Sequence, residues 1–279
     1  MTDFGLKVRM LVVGVILFAF YVVAATVLSA MLGLNIWLVL AAGILVLPAF
    51  QYKFGKWMAL RGAEEMPEDG GVGGIRFSEV HRMTESLSRD MGVETPRLMV
   101  MEMGVPNAFA VGRKGAGVVV VSTELMSILD RDELEGVVAH EIAHIKNRDV
   151  ITMVIGQSIG MLVGYVAYFA ILLGGERNIG TYLLAIAASS IANMLVMIFV
   201  LAISRYREYV ADDDARQAIG SGDPLARALE KISKGAEGRE STVEDSVSAL
   251  CIFNSERGLL ASLFSTHPPT EKRIEKLRY

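Results

Sequence analysis

One cysteine, four histidines and no surplus of positive charge already exclude several classes of protein. With Cys251 alone, no intramolecular disulfide can form, which fits a reducing compartment. The formal net charge is −4, without a basic stripe or an aromatic-rich basic segment, which argues against a nucleic-acid partner. The histidines are His81, His140, His144 and His267, so a pair four residues apart stands out. The scarcest feature is charge itself over long stretches. None occurs in residues 10–32, 34–50, 150–173 or 181–203. These blocks carry the excess of a chain that is 52% hydrophobic with a mean hydropathy of +0.43, and the remainder reads as ordinary mixed sequence.

A charge-free run of about 20 residues rises about 30 Å as a helix, enough to cross a bilayer. Four spans are therefore expected, the second broken near its end by Pro48. Lys7 and Arg9 precede the first block, but its length and the prompt second block point to an uncleaved anchor. Lys53, Lys56, Arg61, Lys146, Arg148, Arg205 and Arg207 gather at one set of span ends, while the link between the last two blocks has only Arg177 beside Glu176. The positive-inside rule places the termini and the polar bulk in the cytoplasm, in a multi-pass plasma-membrane topology. Gly156, Gly160 and Gly164 form a small-residue face for close helix packing. Its partner is either block four, with Ala185, Ala187, Ala188 and Ser189, or a second copy in a homo-oligomer.

The polar parts divide accordingly. Residues 1–56 are expected to form an N-terminal membrane hairpin, 57–149 the first part of a polar domain, 150–203 a second hairpin, and 204–279 the second part of that domain. Residues 62–75 are glycine-rich and read as a flexible linker. Helical spacing of Val80, Met83, Leu87 and Met91 predicts a helix over 77–91 with Gly92 as its cap, and His81 on it reads as structural or exposed. Short apolar runs at 97–103, 108–112 and 117–123 read as a strand meander. Asp130 and Glu133 make a capping box for a helix from near Arg131. Beyond block four a polar helix continues over 205–219, another starts at Asp223–Pro224, and 233–247 reads as mobile.

On the helix from Arg131, His140 and His144 project in the same direction, so their imidazoles can share one Zn²⁺. Glu141 is placed to take a proton from attacking water and pass it to the leaving amine. This is the H-E-x-x-H pattern of metalloproteases. A catalytic zinc wants a third protein ligand. Glu208 lies just past block four, as His144 lies just before block three, so a hairpin of those blocks returns the carboxylate towards the histidines. Asp212, one turn on, faces the same way and suits a carboxylate that accepts the outer N–H of a ligating histidine. Asp213 and Asp214 read as solvated. A non-enzymatic zinc scaffold would not need Glu141, and an intramembrane protease would carry the motif inside a span. Here charged residues flank it.

Four motifs in order, PNAFAVG at 106–112, VVAHEIAHIKNRDV at 137–150, SRYREYVADDDA at 204–215 and STHPPTEKRI at 265–274, resemble the HtpX-type membrane zinc proteases, relatives of the CAAX prenyl proteases. The resemblance covers nearly the whole chain. It implies an α+β, mainly α protein: about four transmembrane helices and a cytoplasmic zincin-like (gluzincin) catalytic domain with a small β-sheet. It also implies one Zn²⁺ per chain on His140, His144 and Glu208, with Glu141 as acid/base and Asp212 behind a ligand. Asn107, Ala108 and Phe109 would belong to an edge strand that pairs with an extended polypeptide substrate. His267 would help stabilise the oxyanion, or else form a rigid surface turn, and Arg273 would orient nearby acids. The implied role is cleavage of misfolded or damaged membrane proteins in quality control and stress response.

Overall fold

The four charge-free runs all become helix. In the computed structural model, which describes residues 3–176, 178–236 and 267–279, α1 covers Asp3–Leu32. The second run is α2 (Ile36–Ala41), one π-helical turn (Ala42–Val46) and α3 (Leu47–Ala59). Asn35 caps α2 by accepting from the Trp37 backbone N–H at 2.9 Å. Pro48 does not end the helix as expected. It has no N–H for the carbonyl four residues back, and the widened turn just before it absorbs the irregularity. The Tyr21 hydroxyl donates to the Leu40 carbonyl beside that turn. A Cβ on Gly43 would meet the Tyr21 ring at 2.9 Å, so a side chain there would have to displace it. The third and fourth runs lie in α7 (Asp149–Gly174) and α8 (Ile179–Ile219).

Helices long and apolar enough to span a membrane are thus Leu11–Leu32, Ile36–Ala59, Asp149–Gly174 and Ile179–Ile219. Only 11–33% of their most apolar windows is buried within the protein. Leu11, Phe18, Trp37, Leu45 and Leu183 are exposed. An apolar surface of that extent calls for lipid rather than water.

The chain divides into two compact units, Met1–Lys53 with Thr152–Ile203, and Phe54–Ile151 with Ser204–Tyr279. In the first, Leu17, Tyr21, Ala25, Ile159, Leu162, Val196 and Val200 form the core. A Cβ added to Gly156, Gly160 or Gly164 would meet Val200 at 2.9 Å, Asn193 at 2.5 Å or Ser189 at 3.1 Å. The glycine face therefore packs against α8 of the same chain. Of its two expected partners, the structure shows block four.

The second unit holds β1 (Glu64–Glu65), β2 (Gly71–Val72), β3 (Ile75–Arg76), α4 (Phe77–Asp90), β4 (Arg97–Met101), β5 (Ala108–Val111), β6 (Val118–Ser122), α5 (Thr123–Ile128), α6 (Arg131–Asn147), α9 (Asp223–Ala236) and α10 (Thr270–Arg278). The expected meander is not formed. β4 and β6 pair in parallel, with Leu98 opposite Val119, and β5 lies outside β6 in antiparallel register, Phe109 opposite Val120. Val118–Val121 is buried on both faces and takes an interior position, which sends β5 to the edge of the order β1-β4-β6-β5. The glycine-rich stretch 62–75 is more than a linker. Its residues supply β1, which pairs with β4, and the β2–β3 hairpin. Gly73 turns at φ 62° where a Cβ would sit 2.2 Å from the Met126 carbonyl. α4 ends as its spacing predicts, with Gly92 at φ 67°, and buries Val80, Met83 and Leu87. His81 reads out as structural, its Nε2 3.0 Å from the Met66 carbonyl. α9 runs to Ala236, so residues 233–236 are helical; the rest of 233–247, and Cys251, lie outside the described residues.

Candidate active site

α6 carries the histidine pair, and its start is held at both ends of a capping box: the Asp130 backbone N–H donates to Glu133 at 2.8 Å. The helix sits between partners. Val137, Val138 and Ile142 join the core with α4 and the sheet, and Gly136 allows α9 close, where a Cβ would reach the Leu225 nitrogen at 2.8 Å. α6 is therefore a buried beam, and His140 and Glu141 are almost fully buried. It is not one of the helices suited to span a membrane.

The two imidazoles stand edge to face at 86° with their Nε2 atoms 3.0 Å apart. Glu208 from α8 reaches both, with Oε2 3.6 Å from His140 Nε2 and Oε1 3.5 Å from His144 Nε2. Behind them, Nδ1 of His144 lies 2.6 Å from Asp149 Oδ2, and Nδ1 of His140 faces Asp212 Oδ1 at 3.0 Å, off the hydrogen-bond axis. With Nδ1 protonated on the carboxylate side, each Nε2 would present a lone pair, the tautomer a metal ligand needs. In that state two lone pairs and a carboxylate would converge on one point, and a cation bound between them would relieve their repulsion. Zinc–ligand bonds of 2.0–2.2 Å at tetrahedral angles set donor atoms about 3.3 Å or a little more apart; the Nε2 atoms are 3.0 Å apart, and each has a Glu208 oxygen, a different one for each ring, at 3.5 or 3.6 Å. The donor set fits a metal ion: His140, His144 and Glu208 could hold one.

Glu141 follows His140 on the same helix. Its Oε2 is buried with no hydrogen-bond partner among the described residues, and burial pushes its carboxyl pKa up. Arg273, from α10, is 1% exposed and chelates Asp212 through Nε and Nη2 at 2.9 and 2.7 Å. Its Nη1 is 3.0 Å from Glu208 Oε2, and Nη2 is 3.3 Å from His140 Nε2. Burial opposes the guanidinium charge, yet Asp212 and Glu208 more than offset it and hold its pKa above the ordinary value. His267 brings Nδ1 within 3.1 Å of Glu208 Oε2. The far end of the chain is thereby gathered to this site. Lys276 stacks over the Tyr209 ring at 3.6 Å and fastens α10 to the helix bearing Glu208.

Asn107, Ala108 and Phe109 lie at and in β5, the end strand of the sheet, which packs against α6. Ala108 and Ala110 face the core that contains α6, whereas Phe109 points to the opposite face among Met99, Met103, Val111, Val118 and Val120. The Asn107 side chain is buried and accepts from the Ala108 N–H at 2.9 Å. Asp214, read as solvated, is instead held by Lys146 Nζ and Asn147 Nδ2, both at 2.7 Å, so α6 and α8 are cross-linked there. Asp213 does stay half exposed beside Arg216. Two buried residues at the site escaped the sequence reading. Asp149 contacts His144, and Arg207 contacts Asp149. Their only signals in the sequence are an acid just after the motif helix and a basic residue just before Glu208.

Comparison with known proteins identifies the family. Residues 75–279 match the model of Peptidase family M48. A protease HtpX homolog of Halobacterium salinarum is 52% identical over 96% of this chain and 100% of its own length. Those of Pyrococcus abyssi and Salinibacter ruber are 42% and 36% identical, over 72% and 82% of both chains. A crystal structure of Ste24p from S. mikatae superposes with a TM-score of 0.60 at 18% identity, covering 98% of this chain and 66% of that one, a likeness of fold. The apolar spans, the His140–His144–Glu208 donor set and these relatives agree, and the chain belongs to peptidase family M48, as an HtpX-type metallopeptidase that crosses the membrane several times.

Proposed function

We propose that this metallopeptidase uses one zinc ion held by His140, His144 and Glu208 to cut peptide bonds of misfolded or damaged membrane proteins, from a catalytic unit on the cytoplasmic face of the plasma membrane. The observation that carries the metal and the mechanism is the pair of Nε2 atoms facing each other at 3.0 Å beside Glu208, next to a buried Glu141 oxygen with no hydrogen-bond partner among the described residues. Zinc bound there would polarise a carbonyl and lower the pKa of water. Every other task falls to the chain. Glu141, whose carboxyl is held above its ordinary pKa by burial, accepts the proton of attacking water and returns it to the leaving amine. Asp212 faces the outer nitrogen of His140, and Arg273 fixes Asp212 by two parallel hydrogen bonds.

β5, with Asn107 leading into it, is the end strand of the sheet order, and its buried residues would have to be uncovered for it to receive the substrate backbone in extended form. Phe109 then contributes its main chain, because its ring belongs to the far face. His267, beside Glu208, supplies an imidazole for the tetrahedral oxyanion. The cytoplasmic orientation rests on the basic residues at one set of span ends, and the quality-control role only on the resemblance of the four motifs to the HtpX-type proteases.

Metal analysis of the purified full chain tests the centre. The wild type should carry about one zinc per chain, and Glu208→Ala should lose it; equal zinc in both would remove Glu208 from the ligand set. Labelling a cysteine introduced at Asn147 in a Cys251→Ser background reads the orientation. Modification only from the outer face would reverse the topology.

A further inference from the structure

Asp149 and Arg207 form a pair of buried charges beside the site to which neither the motif nor the family likeness assigns a task. Asp149 follows His144 by five residues. On an unbroken helix, five residues turn about 140° beyond a full circle, so the two side chains would point apart. They meet because α6 stops. Arg148, its C-cap, adopts the left-handed conformation at φ 57°, ψ 40°, and a separate helix, α7, begins at Asp149. Arg148 is the one residue other than glycine with positive φ among the described residues. That conformation is disfavoured for a side chain with a Cβ. Its result is that Asp149 Oδ2 turns back to His144 Nδ1 at 2.6 Å.

The other oxygen of Asp149 is held separately. Arg207 Nε donates to Oδ1 at 2.6 Å, and Nη2 donates to the same oxygen and to the Asn147 carbonyl at the end of α6. Asp149 and Arg207 are 7% and 6% exposed, so neither charge is solvated and each requires the other. Arg207 also immediately precedes Glu208. One helix therefore delivers a ligand and, in the next residue back, the clamp on the carboxylate behind another ligand.

We infer that Asp149, locked by Arg207, is the positioning residue for His144: it fixes the imidazole with Nδ1–H outward and Nε2 turned to Glu208 and His140. The inference rests on the reading of these three residues as metal ligands. It gives the two histidines a similar construction, although only His144 has its carboxylate on the hydrogen-bond axis. Each has its own carboxylate behind it, Asp212 for His140 and Asp149 for His144, and each carboxylate has its own buried arginine, Arg273 and Arg207.

Zinc affinity of the purified full chain, measured by competition with a chromophoric chelator, tests it. Asp149→Ala should weaken binding about 10- to 100-fold, and Arg207→Lys, which keeps the charge but loses the fork, by less. The visible spectrum of the Co²⁺-substituted protein should shift in Asp149→Ala, because His144 is no longer held. A merely structural role would lower the melting temperature of the zinc-free protein and leave affinity and spectrum of the folded fraction as in the wild type; that result overturns the inference. Should the alanine variant not fold, Asp149→Ala combined with Arg207→Met removes both charges together and is read in the same way. A wild-type chain without tight zinc binding would instead sink the metal reading itself, and this inference with it.

Discussion

The two units solve opposite problems with opposite materials. The membrane unit is held by shape: Gly156, Gly160 and Gly164 let α8 approach, and Gly43 sits against Tyr21. Its polar groups are few and locally matched, as Gln51 with Ser158 and Tyr21 with the Leu40 carbonyl. The catalytic unit is held, around its site, by charge. His140, Glu141, Asp149, Arg207, Glu208, Asp212 and Arg273 are all buried, and together with His144 their arrangement leaves little freedom for any one of them. Lipid offers no hydrophobic force between helices, so close packing must specify the first unit. In the second, burying a charge is tolerable only when its partner is placed beside it, so electrostatics specifies the geometry.

That contrast can be broken at several points. The largest effect is expected at Glu141→Gln, which should lower cleavage of a model membrane substrate by about 10²- to 10⁴-fold while zinc content stays at the wild-type level. Activity near wild type would remove Glu141 from the chemistry. Next comes Arg273→Ala. It leaves Asp212 and Glu208 without their shared buried counter-charge and should cost about 3–5 kcal/mol in folding stability, read as a loss in denaturant or thermal unfolding. If Arg273→Met melted like the wild type, charge pairing would not be what holds this unit.

In the membrane unit, Gly160→Leu should destabilise by about 1–3 kcal/mol, because even its first carbon would lie 2.5 Å from the Asn193 side chain. Thermal unfolding in detergent measures this, and Asn193→Ala in the same chain should recover part of the loss. An unchanged melting point would show that α7 and α8 do not depend on this close approach.

The smallest effect concerns the exposed cross-links between α6 and α9. A hydrogen bond from Arg227, aided by its charge, lowers the Asp132 carboxyl pKa. A carboxylate depressed in the folded state stabilises above its unfolded pKa, and the contribution disappears as pH falls through the lowered value. Asp132→Asn should therefore cost slightly in melting temperature at neutral pH and nothing in strong acid. A cost that grew on acidification would have the wrong sign for this pair.

Much of this protein was legible because its signals are local. Helical period aligned His140 with His144, absence of charge marked the spans, and Asp130 with Glu133 announced the start of α6. Glu208 was reachable from sequence because a hairpin of two spans must bring its ends together. The strand order was not, since the β-runs alone do not say which becomes interior; burial of Val118–Val121 on both faces does. β1 was hidden because two residues of a glycine-rich stretch carry no periodicity, and pairing with β4 creates the strand.

By itself, then, the sequence determined the four spans, the motif helix and the chemistry its residue types allow, all consequences of composition and short-range period. Only the tertiary structure decided what stands behind the site. Asp149 reaches His144 through one left-handed residue at Arg148, and Arg207 reaches Asp149 across 58 positions of chain. A break in helical phase and a contact of that range leave no periodic trace, because they depend on where packing finally sets each helix.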